Sequence, residues 1–439
     1  MTAKRFALLL VLGLPLLAGS ALAASSPVDE GAQAVFRGAR EYTVKIRTRI
    51  ETPFLEDVVG SFTGAGFLVD ATRGWIVTNA HVVGRSTSDR VEVAFAGEEF
   101  RPARKLYVDT FADLAVIAVE GLGARRAAVL DDSDVPSIGE PVGAFGHPLG
   151  IPFTGTRGIV SGHTDQFGPD LIQIDATVDH GNSGGPVISL RDRRVVGIAT
   201  YAAGGGKADR LNFATPIRDV RRVLSLLRAG SPPSPPSLEF ALLKDDEGRH
   251  TLVVGRTFDA ARWPFESGDR IVAVAGREVR SLSDLVDALR GCHGEMTIAV
   301  DRGGKRRSLA ARPNLRASMI ERRGVLVAGA LIAPIALEDE AGDPRRVRLI
   351  VHSVDPSSMA AALDVQRLDV FDSIDGRSFE DVDALIAYLE SRPGDGTVDV
   401  VFRRWTEDPF RAMDHHGRKL PLQGLAVIGG AEPPATASK

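Results

Sequence analysis

Gly181-Asn182-Ser183-Gly184-Gly185-Pro186 is the stretch that decides how this chain is read. A serine between glycines on a tight turn presents its hydroxyl to the outside. The glycines also let the backbone fold so that the amides of Gly181 and Ser183 converge on one point. An oxygen that gains negative charge at that point would be stabilised there, which is what acyl transfer through a tetrahedral intermediate needs. An ordinary glycine-rich turn between strands has the same composition, so the hexapeptide needs partners elsewhere.

Two are found upstream. Thr78-Asn79-Ala80-His81-Val82-Val83 follows directly on the apolar run from Trp75 to Thr78. A histidine at a strand end, with an unperturbed pKa of about 6.5, is suited to act as a general base. Eight others compete with it: His147, His163, His180, His250, His293, His352, His415 and His416. His180 leaves the same turn as Ser183 and so cannot face the hydroxyl across a cleft, and His415-His416 reads as a solvated loop. Asp113 opens the apolar run Asp113–Val119, where a carboxylate can hold an imidazole in one tautomer. Asp109 is its rival and reads as a solvated turn residue in a polar loop. No HExxH and no His/Cys spacing points to a metal, and nothing calls for a cofactor.

The composition narrows the class. Of 439 residues, 44% are apolar and 25% charged, which excludes wholesale disorder and fibrous folds. Lys and Arg number 53 against 57 Asp and Glu, a net charge of −4 that carries no nucleic-acid footprint. Cys292 is the single cysteine, so no internal disulfide or zinc finger can form. Lys4 and Arg5, the apolar run Phe6–Leu17 and Ala21-Leu22-Ala23 make residues 1–23 a secretory signal. The run falls short of the roughly 20 residues that span a bilayer, so no membrane span is expected once the signal is cleaved.

Residues 24–229 are dominated by short β-rich runs bounded by Gly, Pro, Asn or Asp, the pattern of an antiparallel barrel or sandwich. They end in an amphipathic helix from Ile217 to Leu227. Residues 230–237 are a Pro/Ser run, expected to be an extended spacer. A weak repeat follows. Gly268–Gly276 with Ser283–Leu289 matches Leu368–Gly376 with Asp381–Ile386, each unit a strand, a tight turn and a short helix. Two small related domains, 238–313 and 317–405, are therefore expected, with a C-terminal tail at 406–439.

His81, Asp113 and Ser183 stand in the order His, Asp, Ser along the chain, and together with Gly64-Ala65-Gly66-Phe67, Gly146-His147-Pro148-Leu149-Gly150, Arg157–Ser161 and Phe213–Ile217 they resemble the HtrA (DegP/DegS-type) serine proteases. The resemblance covers almost all of the first domain and extends over the two later units. It implies a mainly β fold: a chymotrypsin/trypsin-like double β-barrel protease domain followed by two small α+β PDZ-like domains. Ser183 would be the nucleophile, His81 the base and Asp113 its orienting acid, with Gly181, Asn182 and Ser183 forming the oxyanion hole. In such folds the residue six before the nucleophile lies at the base of the substrate pocket. Here that is Thr177, walled by Ala199, Thr200 and Tyr201, which implies cleavage after small or aliphatic residues. The PDZ-like units would bind peptide C-termini by strand addition, near Phe240 and Ala241 in the first and Val325 and Leu326 in the second, with a purely structural or assembly role as the alternative for the second. The second unit has Leu368-Asp369 where the family tends to have Gly-Asp. Resemblance further implies a periplasmic homotrimer, or a multiple of trimers, degrading unfolded or damaged envelope proteins. The segment around Phe36 and Tyr42 is either a contact between subunits or part of its own barrel. The alternatives are a peptide-binding chaperone or scaffold with weak or latent protease activity, and a regulatory protease acting on one membrane-protein signal.

Overall fold

The protein is described by a computed structural model over residues 27–430, apart from 87–88, 134, 148–152, 167–168, 202–210, 293, 315–317, 338–345 and 407–412. The expected signal, residues 1–23, lies outside the described residues.

Helix α1 (Pro27–Tyr42) leads into β1 (Thr43–Ile50), β2 (Gly60–Asp70), β3 (Trp75–Thr78), the single turn α2 (Ala80–Val83), β4 (Arg90–Ala94), β5 (Arg101–Asp109) and β6 (Leu114–Ala118). In β1, Val44, Ile46, Thr48 and Ile50 are buried while Arg47 and Arg49 are exposed, the two-residue period of a sheet with one wet face. The six strands close in the order β1-β2-β3-β6-β5-β4 and so leave no edge. A second barrel is built from β7 (Pro141–Gly146), β8 (Thr154–Thr164), β9 (Leu171–Ile174), β10 (Pro186–Ser189), β11 (Val195–Tyr201) and β12 (Asn212–Pro216), closed as β10-β11-β12-β9-β8-β7. Helix α3 (Ile217–Arg228) buries Val220, Val223 and Leu224 in a core to which both barrels contribute. Phe36 packs on Phe145 of the second barrel with ring centroids 5.0 Å apart, and Tyr42 is buried in the core. Tyr42 is thus part of its own barrels' core, while Phe36 is only partly buried there.

The Pro/Ser run, expected from its composition to be an extended spacer, is packed against its neighbours. Pro233 and Pro236 are buried, and the Pro233 carbonyl accepts hydrogen bonds from Arg290 at 2.9 Å and the Tyr107 hydroxyl at 3.4 Å. A proline lacks a donor but keeps its acceptor and its apolar ring, and here both are used.

Beyond it come β13 (Phe240–Lys244), β14 (His250–Thr257), β15 (Arg270–Val274), β16 (Arg277–Glu278), α4 (Leu282–Leu289), β17 (Met296–Arg302) and β18 (Lys305–Ala311). The last unit holds β19 (Arg323–Val327), β20 (Ala330–Leu337), β21 (Arg346–Val354), α5 (Met359–Ala362), β22 (Val370–Ile374), α6 (Val382–Glu390), β23 (Thr397–Trp405), β24 (Met413–Pro421) and β25 (Ala426–Gly429), in the sheet order β24-β23-β22-β21-β20-β19-β25.

The two units repeat at the level of single atoms. Ala275-Gly276 and Asp375-Gly376 both have positive φ at both residues, which makes each a type I′ hairpin turn. Asp269 is fully buried and accepts from Arg302 Nε at 2.7 Å and the Glu266 amide at 2.9 Å. Asp369, 1% exposed, accepts from Arg404 Nε at 2.7 Å and the Gln366 amide at 2.8 Å. Each aspartate thus has its charge paired and its oxygens bonded, which a buried carboxylate requires. The second unit, however, does not end at residue 405. β24 pairs with β23 from Thr397↔Pro421 to Trp405↔Met413, and β25 pairs with β19. His415 and His416 therefore lie in a strand, not a loop. Asp414–Lys419 is polar on both faces, so no alternation betrayed it.

The loop 51–59 docks on this last sheet. Phe54 is fully buried against Leu331 and Ala333, Glu56 takes both guanidinium nitrogens of Arg322 at 2.8 Å, and the Leu55 amide donates to His352 Nδ1 at 3.0 Å.

Candidate active site

Helix α2 follows β3 and buries Ala80, Val82 and Val83, which leaves the His81 side chain as the one turned outward, 42% exposed. Asp113 closes the turn between β5 and β6 with φ +49°, a left-handed conformation that aspartate tolerates better than most residues. Two carbonyls and a carboxylate hold that turn. Asn79 Nδ2 donates to the Asp113 carbonyl at 2.8 Å, and Thr215 Oγ1 to the Ala112 carbonyl at 3.2 Å. Asp109 Oδ1 accepts from the amides of Phe111 and Ala112 at 2.9 and 3.2 Å.

The geometry this produces is specific. His81 Nδ1 lies 2.7 Å from Asp113 Oδ2, the His81 amide donates to Asp113 Oδ1 at 3.1 Å, and Thr200 Oγ1 donates to Asp113 Oδ2 at 3.1 Å. An ionised carboxylate can only accept, so the bond to Nδ1 places the ring proton there and leaves Nε2 with its lone pair. Thr200 comes from β11 of the second barrel, so the Asp113 carboxylate is gripped from both barrels.

The Ser183 turn is pressed against the first barrel. The Ala65 amide donates to the Ser183 carbonyl at 2.9 Å, and a Cβ on Gly64 would stand 2.7 Å from Val82 and 3.1 Å from that carbonyl. Ser183 itself is 8% exposed. The Asn182 amide donates to the Asp179 carbonyl at 2.9 Å, closing a four-residue turn whose third residue, Gly181, has φ +104°. A positive φ there marks a type II rather than a type I turn, so the His180–Gly181 peptide is flipped relative to the type I form. Of the three amides expected at the oxyanion position, that of Asn182 is thus taken up within the turn. Those of Gly181 and Ser183 meet no backbone carbonyl among the described residues. The Gly181 carbonyl is held by the His147 amide at 3.0 Å.

Other expected site residues are placed as follows. Thr177 is exposed, its carbonyl accepting from Thr156 Oγ1 at 2.8 Å. Ala199 is buried, exchanging backbone bonds with Gly184 and Gly185 at 2.9 and 2.8 Å. Tyr201 pairs with Asn212 through its backbone, and its side chain lies outside the described residues. Phe240 is a core residue, with its ring 4.9 Å from Trp263 and 5.0 Å from Phe265, while its neighbour Ala241 is exposed. Val325 and Leu326 sit on β19, whose edge is already paired with β25.

Asp109 was the least expected participant. It is 5% exposed, and its second oxygen is held by Arg290 of the α4 unit, itself 2% exposed. Arg290 also donates to the Tyr107 hydroxyl at 2.8 Å, and burial pushes that phenol up. The polar loop reading failed because the covering group lies 181 residues away in sequence. Asn79 was within reach of sequence reasoning, since it stands inside the quoted motif beside His81. Among the described residues no group of His, Cys, Asp and Glu could hold a metal ion.

The model of the trypsin-like peptidase domain matches residues 64–198, which include His81, Asp113 and Ser183. Serine protease Do-like HtrB of Bacillus subtilis (strain 168) is 29% identical over 282 residues, covering 57% of this chain and 61% of that protein. The chain thus spans under two thirds of that relative's length. Periplasmic serine endoprotease DegP of Salmonella typhimurium is 27% identical over 350 residues, 75% of this chain and 72% of that one. Among solved structures, the HtrA-type protease AlgW with tripeptide superposes with a TM-score of 0.52 at 24% identity, over 65% of this chain and 97% of its own. That last likeness speaks to the fold alone.

Proposed function

We propose that this chain, whose residues 64–198 match the trypsin-like peptidase domain and which is similar to HtrA and DegP serine proteases, is an exported serine endopeptidase of HtrA type that cleaves unfolded or damaged proteins of the cell envelope through His81, Asp113 and Ser183. The observation that carries the proposal is the His81–Asp113 contact of 2.7 Å, tied by Thr200 to the barrel that bears Ser183. His81 Nε2 takes the Ser183 proton as Oγ attacks the scissile carbonyl, and the imidazolium that forms is stabilised by Asp113. The carbonyl oxygen becomes an oxyanion facing the amides of Gly181 and Ser183, which typically lower such a barrier by about 3 kcal/mol per donor. His81 then protonates the leaving amine, and water releases the acyl group by the same steps in reverse.

Thr177 carries no charge to pair with a basic side chain, which supports cleavage after small or aliphatic residues. Thr200 is engaged with Asp113, so Ala199 and Thr177 are the pocket residues the proposal retains. The two α+β units act as PDZ-like peptide binders beside the peptidase, and the assembly is a trimer or a multiple of it. Periplasmic location rests on the N-terminal signal in the sequence and on the DegP relatives.

The test is digestion of an unfolded model protein by the mature chain and by Ser183→Ala, with fragment ends read by mass spectrometry. Cleavage by the unaltered chain alone, mainly after Val, Ala, Ile or Thr, is the expected result. No cleavage by either, even with C-terminal peptides added, would leave a peptide-binding chaperone or scaffold as the better reading.

A further inference from the structure

A sheet edge that recruits extended peptides does so by leaving one row of backbone N–H and C=O groups unpaired. In the last unit that row belongs to β19, the strand carrying Val325 and Leu326 and lying beside α6 across the Arg323–Asp383 ion pair. It is filled by the chain's own β25. The pairing is antiparallel, with Leu326↔Ala426, Val325↔Val427, Gly324↔Ile428 and Arg323↔Gly429, and the Gly430 amide adds a bond of 3.0 Å to the Arg322 carbonyl. β25 therefore runs with its C-terminal end toward the start of β19.

We propose that β25 is a tethered, exchangeable occupant of a peptide-binding edge, and that the partner this edge fits is an extended polypeptide segment of the same polarity with an aliphatic residue at the place of Ile428. Three observations distinguish such an occupant from an ordinary strand. First, β25 is anchored by little besides its backbone. Ala426 and Val427 are exposed, and Ile428 is only half-buried, against Leu326 and the Phe54 cluster. Second, it ends the sheet and belongs to no hairpin with the strand it covers, since β19 and β25 stand at opposite ends of the unit's sequence. Third, Gly429 and Gly430 have φ of +78° and +89°, which turns the chain away at the end of the pairing, and a Cβ at Gly429 would run into the Arg322 carbonyl. Displacing β25 also removes Ile428 from the cluster through which Phe54 of the loop 51–59 docks on this sheet. An incoming segment is thereby coupled to the clasp between the first barrel and the last unit.

The expected size follows from tethering. A short tether holds its ligand at an effective concentration on the order of 1 mM, so a peptide that binds the bare edge at about 10 µM should bind the full chain about 100-fold more weakly.

The proposal rests on the reading of the last unit as a peptide binder and not on peptidase activity, and its test is run in Ser183→Ala so that no peptide is consumed. A fluorescent peptide copying residues 424–430 is titrated into the full chain, into a chain ending at Leu425 and into full-length Ile428→Ser. Hydrogen exchange at residues 323–326 locates the binding. The expected result is a gain of about 100-fold for the shortened chain and a smaller gain for Ile428→Ser. Protection of 323–326 is lost on shortening and restored by the peptide, and an aspartate at the Ile428 position of the peptide abolishes binding. Should the shortened chain fail to fold, Ile428→Ser alone decides. If no folded variant gains affinity, or bound peptide leaves 323–326 unprotected, β25 is a fixed strand and the proposal is wrong.

Discussion

Replacing Arg290 by methionine should uncouple the α4 unit from the first barrel, because the guanidinium is the centre of a buried junction. Arg290 and Asp109 are 2% and 4% exposed at their side chains, and the same guanidinium serves the Tyr107 hydroxyl and the Pro233 carbonyl. Methionine fills much of the volume but leaves the Asp109 carboxylate without its cation, the costly way to break a buried pair: about 3–5 kcal/mol. At roughly 2–4 °C per kcal/mol for a body of this size, the transition that includes the junction should fall by about 10 °C. Several domains need not unfold together, so a double-mutant cycle is more informative than one midpoint. Asp109→Asn keeps the Oδ1 acceptor for the Phe111 and Ala112 amides while it removes the charge, and so spares the turn that carries Asp113. Urea unfolding followed by tryptophan fluorescence reads the junction from both sides, since Trp75 lies in the first barrel and Trp263 in the core of the α4 unit. The double variant should be less destabilised than the sum of the singles by about 2 kcal/mol. Effects that add to within about 0.5 kcal/mol, or a midpoint unmoved by Arg290→Met, would refute the reasoning.

Two further outcomes are expected. Leu368 occupies, at φ +75°, the place where the first unit has Gly268 at φ +91°, and it is 48% exposed, so Leu368→Gly should relieve left-handed strain at small cost in burial. A gain of about 0.5–1 kcal/mol in unfolding free energy is expected, and a loss would show that the leucine's contacts outweigh its backbone. Burial pushes His147 and His352 down to about 4, with Arg322 adding to the effect at His352. The unfolded chain binds protons at both from about pH 6.5 downward while the folded chain does not, so stability should fall between pH 6.5 and 4, by up to about 3 kcal/mol per histidine. Glu56, held down to about 2 by Arg322, loses its contribution only at lower pH, between 4.5 and 2. Urea midpoints across this range, with His352→Asn halving the slope, check the assignment, and a flat profile from pH 7 to 4.5 would contradict it.

What could be read without coordinates is what the chain writes locally. The glycines of the Ser183 hexapeptide, the histidine after a strand and the acid before one are short-range patterns, and they located the turn, α2 and the β5–β6 corner. The tight turns at Ala275-Gly276 and Asp375-Gly376 and the helix α3 follow equally from spacing, since turn chemistry and helical period are properties of a few consecutive residues. Partners distant in the chain could not be read that way. Asp109 looked solvated because its cation is supplied by Arg290 from another unit. Thr200 looked like pocket wall because only the closed second barrel brings its hydroxyl to Asp113. The Pro/Ser run looked like a spacer because composition cannot show that a proline carbonyl is wanted elsewhere. β24 and β25 were invisible for the same cause: a polar strand such as β24, or one as short as β25, is held by the backbone row it pairs with, and that row belongs to β23 and β19. Local residue chemistry thus determined which groups this protein brings to its site. Which of them meet, and which edges and charges are closed off, was decided by burial and long-range pairing, because those interactions exist only between segments that tertiary structure has brought together.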